Sequence, residues 1–130
     1  GASATVRQQT AAFDQIRGDV IYFGDLFIRP SNRGSRAVLM CFVHLMHALS
    51  FMRWPSANWI YAFHRAEDVL AGRADQYGFG NRWPRAQVWV DPPSYRSSQE
   101  YLSTLTRRDF EIRAATYADA PELLVTSDPK

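Results

Sequence analysis

Val20–Ala48 reads VIYFGDLFIRPSNRGSRAVLMCFVHLMHA: an apolar strand, a basic turn containing Gly34, and a long apolar helix. The strand is predicted by β-branched and aromatic residues at Val20, Ile21, Tyr22, Phe23, Phe27 and Ile28, bounded by Gly18 and Pro30. Near-continuous apolarity predicts cover on both of its faces. Asp25 interrupts the run, and beside Gly24 it stands at a bend, faces a polar cavity, or lies at a strand end near solvent. Beyond the turn, Val38, Leu39, Phe42, Leu45, Met46, Leu49 and Met52 recur at helical spacing, while Met40, Cys41, Val43 and Ala48 make the other side nearly as apolar. The pattern predicts a helix buried around most of its circumference. A strand that passes through such a turn into a helix start gathers free backbone N–H groups at one point, where an anionic group can sit.

Ile28-Arg29-Pro30-Ser31-Asn32-Arg33-Gly34 resembles the strand-to-helix turn of the GNAT superfamily of N-acetyltransferases, and the resemblance continues downstream. Asn58–His64 (NWIYAFH) reads as the next parallel strand, and Arg65–Gln76 as a helix with Glu67 and Asp68 in its first turn. Tyr77-Gly78-Phe79 is similar to the family's Leu-Gly-Phe near that helix. The resemblance spans Val20 to Val90 and implies an α/β, GNAT-like mixed sheet around a central strand-turn-helix, corresponding to the acyl-CoA-binding, C-terminal half of a diverged member. It implies acetyl-CoA or another acyl-CoA as cofactor. Backbone amides of Asn32, Arg33, Gly34, Ser35, Arg36 and Ala37 would hold the pyrophosphate, and the strand edge at Phe27, Ile28 and Arg29 would pair with the pantetheine. Arg36 and Val38 stand where the family carries small residues, and Ala74 where it commonly has the tyrosine that protonates the leaving thiolate. Tyr77, three residues on, is expected to face another direction.

Only 19 residues precede Val20, fewer than the family's amino-terminal half needs. Two expectations follow: the chain is the C-terminal portion of a longer fold, or a homodimer completes its sheet. Ala4–Arg17 reads as a helix with Val6, Ala11, Phe13 and Ile16 as its stripe, closed by Gly18.

The 130 residues are 46% apolar and 22% charged with net charge +2, a composition of one globular domain, expected over residues 1–120 with a loose tail over 121–130. Lys130 is the one lysine among 15 cationic residues, so positive charge is almost wholly guanidinium, suited to phosphate or carboxylate. The arginines are scattered, which argues against a nucleic-acid surface. No run of 18 apolar residues is uninterrupted, so no membrane span is expected, and a lone Cys41 fits a reducing cytoplasm.

After Phe79, Gly80–Pro84 is a turn cluster and Arg85–Val90 (RAQVWV) alternates as a strand does. Ser97 with Glu100, and Thr106 with Asp109, have capping-box spacing and predict two helix starts, hence a helical C-terminal segment.

For proton transfer the candidates are Asp25, His64 and Glu67. His64 ends the second parallel strand, where ligands gather in open sheets, and Glu67 equally serves the helix N-terminus. His44 and His47 lie three apart without an acidic or Cys partner at a diagnostic interval, so no metal site is expected. The leading expectation is acyl transfer from acyl-CoA to a small-molecule or peptide amine. The other is a non-catalytic GNAT-like regulatory or oligomerisation module.

Overall fold

A computed structural model describes residues 5–24 and 36–125. The chain is mixed α/β. Its main sheet contains β2 (Val20–Tyr22), β3 (Trp59–His64), β6 (Tyr101–Thr106) and β4 (Asn81–Trp83), side by side in that order. β2 and β3 run parallel, Val20 opposite Trp59 and Tyr22 opposite Tyr61, and α1 (Arg36–Arg53) lies in the crossover between them. β6 is antiparallel to both β3 and β4. Pairing of β1 (Val6–Gln9) with β5 (Gln87–Trp89) forms a separate antiparallel ribbon.

The two-residue period of β3 divides the core between the faces of the sheet. Ile60 and Ala62 point to the helical side and pack with Phe51 of α1, Phe79 and Leu105. Tyr61 and Phe63 point the other way and pack with Ala12, Ala86 and Leu102. There Arg96 lies over the Phe63 ring at 4.7 Å and donates to Tyr22 Oη at 2.7 Å, tying the 91–100 loop to the sheet.

The predicted second strand and its parallel pairing hold, as does β5 within Arg85–Val90. Several expectations are corrected. Ala4–Arg17 is not a helix: it holds β1 and a short 3-10 turn, Ala11–Gln15, capped by Thr10, whose hydroxyl accepts from the Ala12 amide. Of the Ser97/Glu100 capping box only one half forms, Ser97 N–H to Glu100 Oε1 at 3.3 Å; Ser97 Oγ accepts instead from Gln99 N–H at 2.9 Å, and the segment closes a turn that leads into β6. Arg65–Gln76 is two short helices, α2 (Ala66–Leu70) and α3 (Arg73–Gln76), because Gly72 sits at φ 82° and ends the first. Glu122–Val125, read as tail, forms α5, which packs on α1. The Thr106/Asp109 box does start α4 (Arg107–Asp119), with the Asp109 amide donating to Thr106 Oγ1 at 3.0 Å.

The largest correction concerns α1. Its buried side is Met40, Val43, His44, His47 and Phe51, while Val38, Phe42, Leu45, Leu49 and Met52 are exposed. The helix is apolar on two sides and only one meets the sheet.

Arg107 locks the end of α1. Its Nε donates to Ala57 O at 2.8 Å, its Nη2 to Phe51 O and Trp54 O at 3.1 and 3.0 Å, and its guanidinium lies 4.6 Å from the Phe51 ring centre. Cationic donors on the last carbonyls of a helix satisfy groups the helix itself leaves open and oppose the dipole. Arg107→Ala is expected to lower stability by about 2 kcal/mol, and Arg107→Lys to recover only part, because an ammonium cannot reproduce the fork. Urea unfolding of the three proteins checks this.

Candidate functional site

The described pairing of the parallel strands ends at Phe23, which leaves an open end, the fork, to the pair. The Phe23 amide donates to Tyr61 O at 2.8 Å, and β3 then continues to His64 past the last described pairing with β2. In this fork lies a cavity of about 490 Å³, lined by Phe23 and Gly24 on one strand, Ala62 to His64 on the other, and Arg65, Asp68, Arg73 and Tyr77 from the segment that follows. Its size falls within the range of small-molecule sites. A Cβ at Gly24 would lie 2.6 Å from the Tyr22 ring, so a larger residue there needs that ring to shift.

His64 is on the helical face of β3, and its Nδ1 is hydrogen bonded to the buried Ser103 Oγ at 2.8 Å. The Phe79 ring stands edge-on to it at 5.2 Å and Tyr77 lies 6.2 Å away. Burial pushes the imidazole below its ordinary value, Asp68 opposes that and Arg82 adds to it, so the ring is neutral at pH 7. The tautomer in which Nδ1–H donates to Ser103 leaves Nε2 as the basic nitrogen.

At the rim, Asp68 accepts from Arg65 Nε at 2.9 Å and from Arg73. Burial works to raise its carboxyl, but the hydrogen bonds from these two guanidiniums hold it below the usual carboxylate range. Asp68 thereby holds both guanidiniums at the rim beside the neutral histidine, and Glu67 also lies 3.8 Å from Arg65.

Of the sequence candidates, His64 lines the cavity. Glu67 does not: its side chain is 71% exposed and faces Arg65 at 3.8 Å. Asp25 lies outside the described residues, as do Phe27, Ile28, Arg29, Asn32, Arg33, Gly34 and Ser35. Arg36 and Ala37 form the first described residues of α1. Two participants were missed. Tyr77 shares the cavity, contrary to the expectation that it would turn away: residues three apart are neighbours on a helix, so Tyr77 follows Ala74 inward at the end of α3. Ser103 carried no signal because its segment reads as a helix.

His44 and His47 are both buried; His44 Nε2 meets Gln76 O at 3.1 Å. Among the described residues no group of three or more His, Cys, Asp or Glu is placed to hold a metal ion, and no helix is long and apolar enough to cross a membrane. A wider groove, about 610 Å³, runs beside β2 and Trp54, but its one ionisable carboxylate, Asp19, is tied to Ser56. The chain matches no family model, no curated protein and no solved structure.

Proposed function

We propose that the chain is the cofactor-binding half of an acyl-CoA-dependent N-acyltransferase acting on an amine. The observation that carries this reading is the pair of parallel strands, joined through α1, with a histidine-bearing cavity at the end of their described pairing. A partly apolar cavity suits an extended thioester arm, and the Arg33-Gly34 sequence before α1 suits its phosphates. After the second helical segment come β4, β5 and β6, of which β4 and β6 join the main sheet.

Bound acyl-CoA supplies an activated thioester. His64, neutral and anchored by Ser103, takes a proton from the attacking amine at Nε2. The Tyr77 hydroxyl, on the same cavity, returns one to the leaving sulfur. Asp68 holds Arg65 and Arg73 at the mouth, where they attract an anionic ligand.

Calorimetric titration of the folded chain with acetyl-CoA tests the reading. Saturable binding is expected, weakened about tenfold by Arg33→Ala; no measurable heat from folded protein sinks it. With an accepted amine, His64→Gln is expected to lower the rate about a hundredfold at unchanged acetyl-CoA affinity. The rate of the unsubstituted chain should fall as pH drops below the ordinary imidazole value, since His64 gains its proton only below that value.

A further inference from the structure

The exposed residues of α1 are not scattered. Val38, Phe42, Leu45, Leu49 and Met52 follow one another at spacings of four, three, four and three, which is a heptad seam two repeats long. Leu45 is 55% exposed and Met52 74%. Flanking this seam are Cys41 and Ala48 on one side and Leu39 and Met46 on the other, and no charged residue lies between Arg36 and Arg53. The opposite side of the helix is committed to the sheet through Val43, His47 and Phe51.

We infer that α1 pairs with α1 of a second copy of this chain, antiparallel, about a two-fold axis at Leu45. The seam is self-complementary under that operation. Leu45 meets its own copy, Phe42 meets Leu49, and the small Val38 meets the long Met52, so each layer holds a similar volume. Antiparallel pairing also sets the positive end of each helix dipole against the negative end of the other. The seam offers on the order of 500 Å² of apolar surface per copy, so a pair hides about 1,000 Å², the lower bound for a specific interface and the size of weak, reversible association. Of the described helices, α4 has no comparable apolar row: its exposed positions include Arg108, Glu111, Ala115 and Asp119. The contact leaves the β2–β3 fork open and is independent of the acyl-CoA reading.

Sedimentation velocity of the full chain from about 10 to 500 μM should show a concentration-dependent dimer, as suits an interface at the small end of the specific range. Leu45→Glu places two carboxylates on the axis and should weaken association about a hundredfold, with circular dichroism unchanged because the residue is exposed. In a Cys41→Ser background, Leu45→Cys should cross-link to itself under oxidation and Val38→Cys should not. A monomeric unsubstituted chain, a dimer that survives Leu45→Glu, or self-cross-linking of Val38→Cys overturns the proposal.

Discussion

Taking the folded chain from pH 7 to pH 4.5 is expected to cost about 3 kcal/mol of stability through His47 alone, at about 1.4 kcal/mol per pH unit below the ordinary imidazole value. His47 is fully buried among Phe23, His44 and Phe79, and neither ring nitrogen has a hydrogen-bond partner among the described residues. Burial, then the neighbouring His44, then Arg113 push its titration down to about 3. As pH falls through 6.5 the unfolded chain takes up a proton that the folded chain refuses until about pH 3, so the stability is intact above 6.5 and drains away across that window. His44 is lowered too, by burial and Arg113 against the opposing bond to Gln76, and adds slope in the same direction. His47→Leu, similar in volume and free of unpaired polar atoms, should be as stable as the parent at pH 7 and clearly more stable at pH 4.5. Urea unfolding at pH 7.5, 6.0 and 4.5 checks this, and an unchanged acid slope in His47→Leu would refute it.

Phe79→Ala is expected to remove about 4 kcal/mol, a large share of the stability of a domain this size. Phe79 is fully buried and is the ring that joins the two histidine environments: its centroid lies 5.3 Å from His47, 5.2 Å from His64 and 6.3 Å from Phe23. Truncation leaves a void behind the fork, so His64 should also lose its fixed orientation. Phe79→Leu, which keeps most of the volume, should cost about 1.5 kcal/mol. Leu70→Ala, at an 83% exposed position, should change stability by less than about 0.5 kcal/mol. Equal losses at positions 79 and 70 would contradict the packing described.

The parallel pair, the crossover helix and α4 were legible because each has a local signature: β-branched runs in β2 and β3, a sustained helical period in α1, a capping box at Thr106. What was not legible depended on tertiary choice. Tyr101–Thr106 has apolar residues at 101, 102 and 105, which fit either period, and only pairing with both β3 and β4 makes it a strand. β1 is polar and mostly exposed, and takes its conformation from β5. In α1 both sides are apolar, so spacing alone cannot say which one meets the sheet; the side with Val43, His47 and Phe51 won, and the wider stripe remained outside. At the site, His64 was legible as the residue that ends the second strand of the parallel pair. Ser103 and Tyr77 join it only through the antiparallel register and the break at Gly72.

The measurement that bears most directly on the fork as an acyl-CoA site is an amide NMR titration of the folded chain with acetyl-CoA. Saturable shifts concentrated at Phe23, Gly24, Phe63 and His64, at the end of the strands' described pairing, are the expected result. Shifts confined to other surfaces, or none at all from a well-dispersed spectrum, would contradict it.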